Sequence, residues 1–161
     1  MQQRTASPLS RGFSLIELMT VVVIATILLS IAVPSYMGQM RQSRRTQAKT
    51  AVLDLAGREE RYLSTNGAIY STTPSDLGYA GAFPVLVGPD NYYTLTVCSP
   101  ASAAGCDPNP NPPAGPSYYI TATPVAGSSQ AADTQCTSFS VDSTGQQFST
   151  GTLTSPQCWA Q

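Results

Sequence analysis

The apolar residues of this chain are spread unevenly. From Phe13 to Val33 almost every position is apolar, with Glu17 the clear exception, and the twelve residues before this block are mostly polar and include Arg4 and Arg11. At about 1.5 Å per helical residue the block would extend about 31 Å, the hydrocarbon thickness of a bilayer. Beyond Pro34 the pattern changes period instead of ending. Tyr36, Met40, Ala48, Val52, Leu55, Tyr62 and Leu63 recur mostly at helical spacing, flanked by Ala51 and Ala56, which predicts an amphipathic continuation of the same helix. The polar run from Arg41 to Gln47 interrupts that stripe and reads as a solvated helical face in preference to an anionic-lipid contact. Asp54 and Arg58 are spaced for an i,i+4 ion pair, and Asn66-Gly67 is a plausible helix stop.

From Gly67 to Asn91 the chain is rich in Gly, Pro, Ser and Thr, with short apolar pieces at Ile69-Tyr70 and Phe83 to Val87. This stretch reads as a connecting loop with little regular structure. Tyr92 to Cys98, Tyr118 to Thr123 and Ser138 to Asp142 carry the β-branched and aromatic content of strands, and a short strand from Gln147 to Thr150 follows a turn at Ser143-Thr144-Gly145. Between the first two lies Asp107-Pro108-Asn109-Pro110-Asn111-Pro112-Pro113, an exposed hairpin loop because proline has no amide to give to a ladder. The fold class expected is α+β: one long helix packed across a roughly four-stranded antiparallel sheet and closed by a C-terminal segment.

Composition narrows the chemistry. At 161 residues the chain has room for one ordinary domain plus a special segment. It contains no His, which removes imidazole bases, Ser-His-Asp and Cys-His constellations and the commonest nitrogen ligand for zinc. Ser/Thr richness reads as a polar exported surface, so no catalytic residue, cofactor or metal is expected. After Arg61 there is no Lys or Arg, whereas Asp76, Asp90, Asp107, Asp133 and Asp142 all follow. Such an acidic half gains nothing from counterion release, and nucleic acid is an unlikely partner. The four cysteines, Cys98, Cys106, Cys136 and Cys158, lie in this half without Cys-x-x-Cys spacing. They read as two disulfides in an oxidising compartment, with three connectivities open.

The apolar block has two readings. An ordinary signal peptide would be cut near Ser30-Ile31-Ala32, but signal h-regions are shorter, about 7 to 15 residues, and lack a carboxylate. An intramembrane charge such as Glu17 is costly and functional by default. Arg11-Gly12-Phe13-Ser14-Leu15-Ile16-Glu17-Leu18-Met19 resembles the recognition sequence of type IV prepilins. In these a dedicated peptidase cuts between Gly and Phe and the new N-terminus is methylated. Pro34 and Tyr36 also stand where that family places a helix-bending proline and a nearby aromatic. The resemblance is strong from residue 11 to about 63 and general beyond.

The resemblance implies a leader peptide over 1–12, a transmembrane and filament-core half-helix over 13–35, an amphipathic half over 36–65, and a loop and disulfide-bonded sheet domain over 66–161. It implies cleavage at Gly12/Phe13, N-methylation of Phe13, a bend at Pro34, and an assembly role for Glu17 opposite the freed Phe13 amine of a neighbouring subunit. The disulfides it favours are sequential, Cys98 with Cys106 and Cys136 with Cys158. The implied partners are the prepilin peptidase/methyltransferase, other pilin subunits, inner-membrane assembly machinery and, before assembly, membrane lipid. The implied location is the bacterial inner membrane with the C-terminal domain in the periplasm, then an extracellular pilus. Positive-inside counting disagrees, because Arg41, Arg44, Arg45 and Lys49 outnumber Arg4 and Arg11; the cysteines and the resemblance take precedence. Tyr92-Tyr93, the turn from Val141 to Gly145 and Cys158-Trp159 look most like a type IVa minor pilin. A major pilin, a type II secretion pseudopilin and a tip or DNA-uptake pilin are the alternatives.

Overall fold

The structure is a computed structural model that describes residues 13–67, 69–101 and 115–160. The Pro-rich hairpin loop expected around 107–113 lies outside the described residues. The chain divides between Gln39 and Met40 into an N-terminal segment and a compact unit, here called the head.

Helix α1 runs Leu15–Asn66 with Pro34 inside it. Gly67 follows at a φ of 73°, a left-handed conformation that glycine adopts without a Cβ penalty and that commonly ends helices. Within the head, α1 buries Arg45, Ala48, Lys49, Val52, Leu55 and Glu59. That spacing of three and four residues makes one face of a helix. The face packs on a five-stranded antiparallel sheet in the order β1-β2-β3-β4-β5, with β1 Val85–Val87, β2 Tyr93–Cys98, β3 Tyr119–Pro124, β4 Ser138–Asp142 and β5 Gln147–Thr150.

Register explains the core. Leu95 pairs with Ala122 and Ala122 with Phe139, while Val97 pairs with Ile120 and Ile120 with Val141. Opposed residues of a ladder lie on one face, so these two rows form the apolar surface that meets Ala48, Val52 and Leu55 in a single cluster. The opposite face carries Thr96, Thr121 and Ser140 in register, with Ser140 Oγ donating to Thr121 Oγ1 at 3.1 Å.

Three features differ from the sequence reading. First, the sheet has five strands, because Val85–Val87 pairs antiparallel with β2 at the sheet edge. Three residues between Pro84 and Gly88 are too short for alternation to be read, and β2 supplies the ladder that holds them. Second, two short helices were not expected, the 3₁₀ turn Pro74–Leu77 and α2 Ser155–Ala160. Thr154 N and Oγ1 both donate to Gln157 Oε1 at 3.0 Å, placing the Thr-x-x-Gln signature of a capping box at the start of α2. Third, the cationic run is not simply a solvated face: Arg45 is 5% exposed and Lys49 8%. Burial inside the head accounts for these two cations, which positive-inside counting treats as flanking charges.

Candidate functional site

In the N-terminal segment, Ser14 begins the helical hydrogen bonding by accepting from the amides of Glu17 and Leu18, both at 3.1 Å. Glu17 lies in the first turn, where the partial positive charge of the helix terminus favours a carboxylate. Phe13 is 82% exposed, and the large apolar side chains from Leu15 to Val33 are all at least half exposed. The hydroxyls along this surface turn inward. Thr20 Oγ1 donates to Ile16 O at 2.7 Å, Thr26 Oγ1 to Val23 O at 2.8 Å and Ser30 Oγ to Ile27 O at 2.7 Å. A polar donor costs little in an apolar medium once it is bonded to its own backbone, so the stretch is long and apolar enough to cross a membrane. Glu17 alone between Phe13 and Val33 carries an ionisable side chain. The helix continues through Pro34, which has no amide to donate to the preceding turn.

In the head, the residues that join distant parts of the chain are those the sequence reading left out. Arg45 Nε donates to Asp133 Oδ2 at 2.6 Å and Nη2 to Oδ1 at 2.7 Å, a bidentate pair. Gln135 Oε1 also accepts from Nη2, and Gln130 Nε2 bridges Asp133 Oδ2 to the hydroxyl of Tyr93. Burial pushes the Asp133 carboxyl up, but the hydrogen bonds and charge of Arg45, with the Gln135 and Cys136 amides, hold it below its usual range. The hydrogen bond to Asp133 leads in raising the Arg45 guanidinium. On the residue before it, the Arg44 guanidinium lies 3.7 Å above the Tyr92 ring centroid, and Nη1 donates to Ser129 Oγ at 2.9 Å. No local periodicity signals these pairs, since Arg45 and Asp133 are 88 residues apart.

A covalent closure adjoins this network. Cys136 and Cys158 are disulfide-bonded with their Cα atoms 5.7 Å apart. Trp159 packs edge-on against Phe139 at 5.8 Å, its indole N–H donates to Phe148 O at 2.9 Å, and Lys49 Nζ donates to Trp159 O at 3.4 Å. Cys98 is disulfide-bonded, while Cys106 and Gly12 lie outside the described residues.

A long helix whose first half is apolar and unburied, followed by an antiparallel sheet with a disulfide-closed C-terminal end, defines the chain as a pilin-type subunit. Comparison with known proteins makes this specific. The chain belongs to the family described as type IV minor pilin ComP, DNA uptake sequence receptor, whose model matches residues 34–140. A prokaryotic N-terminal methylation motif matches residues 8–33. The type IV major pilin protein PilA of Myxococcus xanthus (strain DK1622) is 36% identical over 74 residues, 46% of this chain and 33% of that protein. The type II secretion system core protein G of Dickeya chrysanthemi is 35% identical over 68 residues, 42% of this chain and 44% of that protein. The matched stretches thus span a third to under half of these relatives. A type IV pilin from Shewanella oneidensis of known structure superposes with a TM-score of 0.42 at 20% identity, covering 66% of this chain and 89% of that one.

Proposed function

We propose that the chain works as a structural subunit, a minor pilin assembled into a type IV pilus through its N-terminal helix. In this reading a prepilin peptidase removes residues 1–12 by cutting between Gly12 and Phe13, and Phe13 is then methylated. The mature chain sits in the inner membrane with the head in the periplasm before it enters the filament, where the helix bends at Pro34. Cys98 pairs with Cys106. The observation that carries the proposal is a methylation motif continuous with an unburied apolar helix whose one ionisable side chain before Val33 is Glu17.

Glu17 gives the test. A carboxylate costs about 2.5 to 3.5 kcal/mol at mid-bilayer and somewhat less near the edge, where it can snorkel, and in a filament the amine of Phe13 on a neighbouring subunit offsets that cost. A slip of one helical turn separates the two charges by about 5.4 Å, so the attraction fixes axial register. Glu17→Ala should leave membrane insertion and the Cys136–Cys158 bond intact while removing the chain from purified filaments. Incorporation at the wild-type level would overturn the assignment.

The family's description brings a second reading, reception of DNA. Its cations would have to come from α1. There Arg45 and Lys49 are buried, Arg58 bonds Asp54 at 2.7 Å and Arg44 is engaged by Tyr92 and Ser129. Arg41 is partly exposed and Arg61 exposed. With so few cations available to phosphate, the full chain in detergent should show negligible affinity for duplex DNA at physiological salt. Micromolar binding that weakens as salt rises would favour the second reading.

A further inference from the structure

Glu59 is a fully buried residue on the core-facing side of α1. Its Oε2 accepts from the backbone amide of Ser71 at 3.0 Å, and its Oε1 has no hydrogen-bond partner among the described residues. A carboxylate here would be a buried charge with one oxygen unsatisfied, whereas a carboxylic acid is neutral and easier to bury. The segment that supplies the Ser71 amide is folded on itself. Ser71 Oγ donates to Asp76 Oδ2 at 2.8 Å and accepts from the Thr73 amide at 3.0 Å. Gly78, at a φ of 75°, ends the 3₁₀ turn by donating back to Pro74 and Ser75.

Among the described residues, the groups around Glu59 do not supply a compensating cation. Glu60 on α1 and Asp76 on the 3₁₀ turn both disfavour its charge. Tyr70, which donates to Glu60 Oε1 at 3.2 Å, and Tyr118, which packs edge-on against Tyr70 at 4.8 Å, are themselves held protonated by burial and by the neighbouring glutamates. The adjacent Arg58 turns to Asp54 and to the Leu77 carbonyl at 2.9 Å. Burial, opposed by the Ser71 amide and aided by Glu60 and Asp76, pushes the Glu59 carboxyl up to about 7.

We propose that Glu59 is a proton-dependent latch: as an acid it lets the segment from Ser71 to Tyr79 close against α1, and as a carboxylate it draws water to its unpartnered Oε1 and opens the Ser71 end, the cost of the buried charge outweighing the stronger bond to the Ser71 amide. The Arg58 bond to Leu77 O and the Tyr79 bond to Asp54 at 3.1 Å keep the far end attached, so the opening is local. The folded carboxyl titrates above its ordinary 4.5. The stabilisation is therefore complete below that value, declines as pH rises and is lost once pH passes the folded value.

The test is backbone amide exchange of the full chain in detergent micelles at pH 5 and pH 8, expressed as protection relative to each amide's intrinsic rate. Protection at Ser71 and Thr73 should fall about tenfold or more at the higher pH, with β3 and β4 unchanged, and Glu59→Gln should abolish the dependence. An equal fall in Glu59→Gln, or no fall in the wild type, overturns the proposal. If Glu59→Gln does not fold, the ¹³C carboxyl resonance of Glu59 in the wild type decides. A midpoint near neutrality supports the latch, and one in the ordinary glutamate range overturns it.

Discussion

Replacing Asp133 with alanine would take from the Arg45 guanidinium, inside the head, the carboxylate that holds it in a bidentate pair. The two side chains are 6% and 2% exposed, so water cannot take the carboxylate's place. The substitution removes the acceptor of Arg45 Nε at 2.6 Å and Nη2 at 2.7 Å, of Gln130 Nε2 at 3.0 Å and of the Gln135 amide at 3.2 Å. Breaking a buried ion pair from one side costs about 3 to 5 kcal/mol, a large share of the roughly 5 to 15 kcal/mol that holds a domain together. With a urea dependence of about 2 kcal/mol per molar, the unfolding midpoint should fall by about 2 M. Near-UV circular dichroism of the full chain in micelles would follow it. Arg45→Met combined with Asp133→Leu removes both charges and should recover most of the loss. A single-variant cost below about 1 kcal/mol, the range of exposed pairs, or strictly additive costs in the double variant, would refute the reasoning. Because the Asp133 carboxyl is held below its ordinary 3.8, the wild type should keep this stabilisation above that value and lose it as pH falls through the folded one.

Two further outcomes are expected. N-terminal mass spectrometry of membrane or filament material should find methylated Phe13, and a mature start at Val33 would indicate an ordinary signal peptide. Gly151→Ala should destabilise the head by about 1 to 3 kcal/mol, because a Cβ there would collide with the Gln135 carbonyl at a φ of 135° that side chains rarely adopt; an unchanged thermal midpoint would argue against this packing.

What the sequence discloses here is local chemistry. The apolar block, its carboxylate and the Asn66-Gly67 stop are contiguous features, and so are the four longer strands, each with β-branched or aromatic residues near a turn signal. β1 is too short to show a pattern of its own, and its existence depends on β2. Arg45 falls in the run that reads as a solvated face, because charge ordinarily stays in water, and no local pattern marks Lys49 or Glu59 for burial. Asp133, the Trp159 carbonyl and the Ser71 amide, each distant in sequence, are among the partners that make their burial tolerable. The processing motif was therefore legible from residue order, while the ties that hold the head to its helix were not.

The Cys136–Cys158 bond has a mechanical consequence for a protein pulled along its length. Tension entering through α1 reaches the Arg45–Asp133 pair, three residues before the first cysteine, and the disulfide spans a sequence separation of 22 residues. At about 3.3 to 3.6 Å per extended residue, about 70 to 80 Å of contour stays locked even if the sheet is torn open. A stretched head would therefore yield a shorter extension in oxidised than in reduced form, and the β4–β5 hairpin, lying wholly within the closed loop, would carry none of the load transmitted between the chain ends.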